Sequence, residues 1–249
     1  MISEYHRPKT LDEAIQLMSK QDIRPLGGGT MLNRPSPERF AVVDLQALGL
    51  DIIHKSGNKL EIGATATLQA LLDSAHISPV LQETIRLETT YNLRQMATVA
   101  GTLVACDGRS TFATAMLALD AKLTVISNQS SVIGLGDLLP FRVDNLRDKL
   151  ITKIVIPLNV KLAFESVART PADKPIVCAA LAQWPSGRTR LALGGWGKSP
   201  LLAMDGNEPG GLEAAARNAF AEASDEWASA EYRSEMVAVL AKRCTEFLK

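Results

Sequence analysis

The chain has 249 residues, with 27 Lys and Arg against 27 Asp and Glu, and 46% of its residues are hydrophobic. That length suits one body or two to three small subdomains with a sizeable core. The balanced charge, with no like-charge block in either half, argues against nucleic acid or an acidic membrane surface as principal partner.

Along the chain, Thr10 followed by Glu13 forms a capping box, and Leu11, Ala14, Ile15 and Met18 recur at helical spacing, which predicts a first helix. Ile23 to Leu26 reads as a short strand running into Gly27-Gly28-Gly29-Thr30, and Phe40 to Leu45 as another, so residues 1–50 form a small β-α-β-like unit. Consecutive glycines let the backbone enter positive φ and bring its N–H groups against an anion such as a pyrophosphate. The same triplet also serves simply to close a tight loop.

Leu60 to Ala64 alternates as a strand, Thr67 is a cap for the next helix, and a further helix spans roughly Val80 to Thr90. It leads to a second glycine-threonine stretch, Thr98-Val99-Ala100-Gly101-Thr102. Two such turns in one small chain make a dinucleotide the first ligand to test. Ala113 to Ile126 runs from an apolar helix into a strand. Ile151 to Pro157 closes a middle α/β subdomain over 51–160, because Pro157 cannot continue a central strand.

The remainder, 161–249, changes character. Phe164 to Arg169, Ile176 to Ala182 and Arg190 to Trp196 read as three strands of an antiparallel sheet, followed by helices over Gly211 to Ala223 and Ser229 to Leu248. Strands followed by helices predict an α+β subdomain. Leu193-Gly194-Gly195-Trp196-Gly197 reads as a turn or bulge, with a partner-facing Trp196 as the alternative. On the last helix, Tyr232 is assigned to the core and Arg233 to solvent.

Cys106, Cys178 and Cys244 are far apart with no C-x-x-C pair, and His6, His54 and His76 are equally scattered. This predicts reduced buried thiols and no protein-ligated metal. No G-x-S-x-G elbow is present, the first turn lacks the G-K-[ST] of a phosphate-binding loop, and G-x-G-x-x-G is absent. The chemistry is therefore expected to reside in a bound cofactor. The opening M-I-S-E-Y-H-R-P carries no apolar leader and no apolar run reaches membrane-span length, so a cytoplasmic protein is expected.

Seven elements in order resemble one family: Arg7-Pro8, the P-L-G-G-G-T-x-L turn, Leu60 to Thr67, Leu93-Arg94 ahead of Thr98-Val-Ala-Gly, Leu117-Ala-Leu-Asp-Ala, Ile154 to Pro157, and Ser229 to Arg233. The family is that of the FAD-binding subunits and domains of molybdenum hydroxylases, such as carbon monoxide dehydrogenase medium subunits and xanthine dehydrogenase flavin domains. The resemblance implies an α+β fold: two small α/β subdomains of the PCMH type clasp FAD, ahead of a C-terminal domain with a three-stranded sheet and helices. It nominates Gly27, Gly28, Gly29, Thr30 and Leu32 in the first turn, and Thr98, Ala100, Gly101 and Thr102 in the second, as FAD-binding positions, with Thr111 where the family commonly has a ribityl-binding aspartate. It also implies electron transfer through flavin from an iron-sulfur subunit, with a molybdopterin-binding subunit on a further chain and NAD, a quinone or oxygen as acceptor.

The chain departs from the family pattern at several of these places. The usual T-I-G-G-N reads T-V-A-G-T here, Met31 stands where aspartate is common, Thr111 replaces an aspartate, and Glu165 replaces a lysine found in some members. One lost hydrogen bond costs about 1 kcal/mol, so together the changes weaken FAD binding. They define an alternative, a scaffold subunit that keeps the fold without the flavin. Thr111 has its own alternative as a helix cap, and Arg94 meets either a phosphate or a carboxylate.

Overall fold

The computed structural model describes residues 1–35, 37–207 and 210–249. The chain starts in β1 (Ile2–His6), whose polar I-S-E-Y-H gives no strand signal in the sequence, and enters α1 (Leu11–Met18) at Thr10. The Thr10 hydroxyl accepts from Glu13 N–H at 3.3 Å, and the Glu13 carboxylate accepts from Lys9 N–H at 2.9 Å. β2 (Ile23–Leu26) and β3 (Phe40–Asp44) complete a parallel sheet in the order β1-β3-β2. β3 is central and buried along its length, and α1 packs Ala14 and Met18 against Val43 and Leu45. In a parallel sheet the strand carboxyl ends share one edge, where ligands of α/β proteins bind. The turn after β2 therefore lies beside the end of β3, with Leu45 N–H donating to the Leu26 carbonyl at 3.0 Å.

The chain continues through β4 (Ile53–Ser56), β5 (Lys59–Gly63), α2 (Leu68–Leu72), α3 (Pro79–Glu88), α4 (Tyr91–Arg94), α5 (Val99–Ala105) and α6 (Thr111–Ala118). Then come β6 (Lys122–Ile126), β7 (Ser130–Gly134), α7 (Leu135–Leu138), α8 (Arg142–Asn145) and β8 (Leu150–Pro157). Strands β4 to β8 form a five-stranded sheet in the order β4-β5-β8-β6-β7. Thr67, Ser78 and Ser110 each cap the helix that follows, accepting an N–H from three residues on.

The C-terminal part is an antiparallel meander of β9 (Lys161–Val167), β10 (Val177–Gln183), β11 (Thr189–Gly194) and β12 (Leu201–Gly206), covered by α9 (Leu212–Ala219) and α10 (Ala230–Leu248). The expected three-stranded sheet thus has a fourth strand. L-L-A-M-D-G in β12 contains no β-branched or aromatic residue, and its extended form comes from pairing with β11 rather than from propensity.

These elements fall into two compact units, each drawn from three stretches of chain: Met1–Ala75, Tyr91–Ala105 and Lys122–Val155 in the first, His76–Thr90, Cys106–Ala121 and Ile156–Lys249 in the second. In the second unit, α6 is buried on every side, its uncharged sequence T-F-A-T-A-M-L-A having no charged face to turn to water, and packs on α3, β10 and β11. Gly194 admits α6 closely: a Cβ there would stand 2.5 Å from Thr114 Oγ1 and 2.7 Å from Cys178 Sγ. Gly195 and Gly197 take positive φ of 117° and 81°, and Trp196 donates its indole N–H to the Ser224 carbonyl at 3.2 Å.

The expected places of Tyr232 and Arg233 are exchanged. Tyr232 is 42% exposed, whereas Arg233 is fully buried. Its guanidinium binds Asp225 at 2.7 Å and the carbonyls of Ala223, Ala228 and Ile176 at 2.9, 3.2 and 3.2 Å. The break between α9 and α10 leaves carbonyls without helical partners, and a fork of fixed donors satisfies several of them at once.

All three cysteines are buried, and burial pushes the Cys178 and Cys244 thiols up to about 12, so both are protonated at neutral pH. No helix among the described residues is long and apolar enough to cross a membrane.

Candidate cofactor site

The first unit contains a cavity of about 610 Å³ at the carboxyl edge of the parallel sheet, within the size range of small-molecule sites. The first glycine turn forms one wall: Gly27, Gly28, Gly29, Thr30, Met31 and Leu32 all line it. Thr98, Ala100 and Gly101 of the second turn line it too, so the tertiary structure brings the two sequence-distant turns to one place.

The reason for the glycines is geometric. A Cβ on Gly28 would stand 1.6 Å from the Met96 carbonyl oxygen, and one on Gly27 would stand 2.7 Å from Thr98 Oγ1. A Cβ on Gly101 would meet that same oxygen at 2.7 Å, so the Thr98 side chain fits between the two turns only because both present glycine. Gly29 has a different role, with φ of +70° turning the chain.

The two turns differ in what their backbones offer. In the second, Val99 and Ala100 N–H donate to the carbonyls of Ala66 and Ala64 at 2.8 and 3.3 Å, Gly101 N–H to Thr98 Oγ1 at 3.1 Å, and Thr102 N–H to the Thr98 carbonyl at 2.9 Å. The first two amides anchor the turn to the segment before α2, and the other two close back on Thr98. In the first, none of the N–H groups from Gly27 to Leu32 donates to another described residue. The first turn is therefore the one with donors available to a ligand.

Side chains supply the remaining charge. Among the described residues the lining carries three cations, Arg24, Arg142 and Lys149, and no carboxylate, although the chain as a whole is neutral. Arg24 is paired with Glu38 at 2.5 Å and lies over the Phe40 ring at 4.2 Å. At the end of β3, the buried Asp44 accepts from the Tyr5 hydroxyl and, at 2.9 Å, from Gln46 N–H, with Arg7 Nε at 3.6 Å. The hydrogen bond to Asp44 pushes the Tyr5 phenol above its ordinary pKa.

Two of the ten expected site residues do not line this cavity. The Thr102 hydroxyl, on α5, donates to the carbonyl of Thr98, the residue before that helix, at 2.8 Å. Thr111 belongs to the second unit, where its buried hydroxyl donates to the Thr84 carbonyl at 2.8 Å with the Glu88 carboxylate as a second acceptor at 3.3 Å. Arg94 donates to the Gln69 side-chain amide at 3.3 Å. Arg142 and Lys149 were not legible as site residues, since both sit in a charged stretch, R-V-D-N-L-R-D-K, that reads as an ordinary solvated loop. Glu165 lies on β9 opposite Ala179 in the second unit.

A parallel sheet that ends in a glycine turn with available amides, beside a cavity with cations and no acids, defines a binding domain for an anionic, nucleotide-type cofactor. The chain belongs to the family described as the FAD binding domain in molybdopterin dehydrogenase, which matches residues 1–159, and its cofactor is FAD. Over 252 residues it is 29% identical to the uncharacterized protein YgfM of Escherichia coli (strain K12), covering 96% of this chain and 94% of that one. It is 28% identical to the carbon monoxide dehydrogenase medium chain of Afipia carboxidovorans over 277 residues, covering 99% and 96%. Among solved structures, a chain of the reconstituted CO dehydrogenase from Oligotropha carboxidovorans superimposes with a TM-score of 0.82 at 28% identity, covering 98% of this chain and 96% of that one. The chain is thus similar to the medium chains of dehydrogenases.

Proposed function

We propose that this chain is the FAD-carrying medium subunit of a molybdenum-dependent dehydrogenase, that it receives electrons from an iron-sulfur subunit, and that the complex includes a separate molybdopterin-binding subunit. The observation that carries the reading is the pairing of the available Gly27 to Leu32 amides with the acid-free, cation-bearing cavity. The residues present fit the cofactor. Gly27 and Gly28 keep side chains out of the wall, Thr30 and Thr98 line it, and Arg142 and Lys149 supply positive charge. Bound FAD supplies two-electron chemistry that is exchanged with one-electron carriers.

In this reading the chain's own residues bind and orient. The first turn donates N–H groups to the pyrophosphate, the second turn holds the first in place through Thr98, and the apolar wall of Leu45, Leu150 and Ile151 excludes water from the neighbouring part of the cofactor. The Ala100 methyl lines the cavity while its N–H is engaged with Ala64, so this departure from glycine leaves the available donors of the first turn untouched. Thr111, with its hydroxyl committed to Thr84, is proposed as a helix-packing residue of α6 rather than a ribityl donor.

The test is an absorption spectrum of the purified full-length chain before and after incubation with FAD and desalting. Flavin bands that survive desalting are the expected result. A well-folded chain that stays colourless would overturn the flavin reading and leave the scaffold role. Reduction of the bound flavin through a co-purified iron-sulfur chain is expected in turn, and bleaching by the complex's substrate without that chain would overturn the electron path.

A further inference from the structure

The stretch from Arg142 to Lys149 contains two aspartates, two arginines and a lysine, and its fold sorts them. Arg142 opens α8, Leu146 follows its end and Lys149 lies beyond the turn in which Asp148 takes φ of +56°, and all three line the cavity. Two backbone hydrogen bonds hold the helix end and the turn, Leu146 N–H to the Arg142 carbonyl at 3.1 Å and Lys149 N–H to the Leu146 carbonyl at 3.2 Å. Asp144 and Asp148 are exposed and absent from the lining, and Asp144 pairs with Arg147 at 3.4 Å.

The stretch is tied to the first glycine turn. Leu150, next to Lys149, packs in one cluster with Val43 and Leu45, and Leu45 bonds the Leu26 carbonyl immediately before Gly27. Of the three cations in the lining, Arg24 is paired with Glu38 and Arg142 also has a partner within the chain, while Lys149 makes no ion pair with another described residue. Four amides of the second turn, Val99 to Thr102, are engaged within the chain, so most of the backbone donors left for a pyrophosphate belong to the first turn.

We infer that Arg142 and Lys149 form a cationic clamp for the cofactor's pyrophosphate, adding side-chain charge where the amides of Val99 to Thr102 are engaged within the chain. The inference rests on the flavin reading above and adds to it a specific consequence: FAD is held here largely by charge, and its affinity falls with ionic strength.

The experiment titrates the full-length apo chain with FAD at low and high NaCl, following flavin fluorescence, for wild type, R142Q, K149Q and the exposed control R147Q. Each titration is repeated with riboflavin, which has the ring and ribityl chain but no phosphate. R142Q and K149Q are each expected to weaken FAD binding about tenfold and to flatten its salt dependence. R147Q is expected to match wild type, and riboflavin binding to be the same in all four. Unchanged FAD affinity in both variants, an equal loss for FAD and riboflavin, or salt-independent FAD binding by the wild type would each overturn the clamp while leaving the flavin reading intact. A wild-type chain that takes up no FAD at low salt would overturn both.

Discussion

Gly28 faces the Met96 carbonyl oxygen, and a Cβ there has no flexible side chain to push aside, only backbone. Gly28→Ala is therefore expected to displace the turn and to abolish FAD retention on desalting, at a stability cost of about 1–3 kcal/mol. Gly206→Ala is the matched control, because its nearest neighbour within range is the Met204 methyl at 4.0 Å, and it should leave both properties unchanged. Glu88 offers a second residue-scale test. Burial pushes its carboxyl up from the ordinary value, against the lowering effect of the Phe112 N–H, at 3.0 Å, and of the Ser110 hydroxyl, at 2.7 Å. With the folded pKa above the unfolded one, the native state takes up the proton first as pH falls. The charged carboxylate thus weakens the fold at neutral pH, and its contribution improves through the window between the two values. Glu88→Gln keeps an acceptor oxygen for both donors, so urea denaturation at neutral pH should show equal or higher stability, with less gain on acidification than in the wild type.

At the scale of elements, the buried guanidinium of Arg233 joins α10 to the loop after α9 and to the residue before β10. Arg233→Met removes the partner of Asp225 and leaves three carbonyls without a donor, a change expected to cost about 3–5 kcal/mol by chemical denaturation. A loss below about 1 kcal/mol would show that water replaces those donors. The caps at Thr10 and Thr67 were readable because a hydroxyl before an apolar helical pattern satisfies nearby amides, a local matter. β1 and β12 were not, since neither I-S-E-Y-H nor L-L-A-M-D-G favours a strand, and each is extended by the neighbour it pairs with. Arg233 was missed for a related reason: helical periodicity cannot show that a face bearing arginine meets unpaired carbonyls.

For the whole molecule, linear subdomains over 1–50, 51–160 and 161–249 and the two packed units lead to different outcomes on truncation. α6 is buried on every side and packs on β10 and β11, which lie beyond residue 160. A fragment of residues 1–160 is therefore expected to be insoluble or to lack a cooperative thermal transition, although the family match spans almost the same residues. A soluble, cooperatively melting fragment would support linear subdomains instead. FAD binding should also register in the melting of the full chain, because a ligand bound only by the native state stabilises it by about 2.7 kcal/mol at a hundredfold excess over its Kd.

The sequence alone determined that the molecule is α+β and that its charge is balanced, because caps and periodicity are local chemistry, and its resemblance to the family led to the expectation that Gly27 to Thr30 and Thr98 to Thr102 share one cofactor site. Eight of its ten nominated residues line the cavity: Gly27, Gly28, Gly29, Thr30, Leu32, Thr98, Ala100 and Gly101. Only the tertiary structure decided which turn keeps its amides available, that Thr111 is committed to Thr84, and that Arg142 and Lys149 face the site while Asp144 and Asp148 do not. The occupancy of an N–H group and the direction of a charge depend on which distant segment packs alongside, and spacing along the chain carries no record of that.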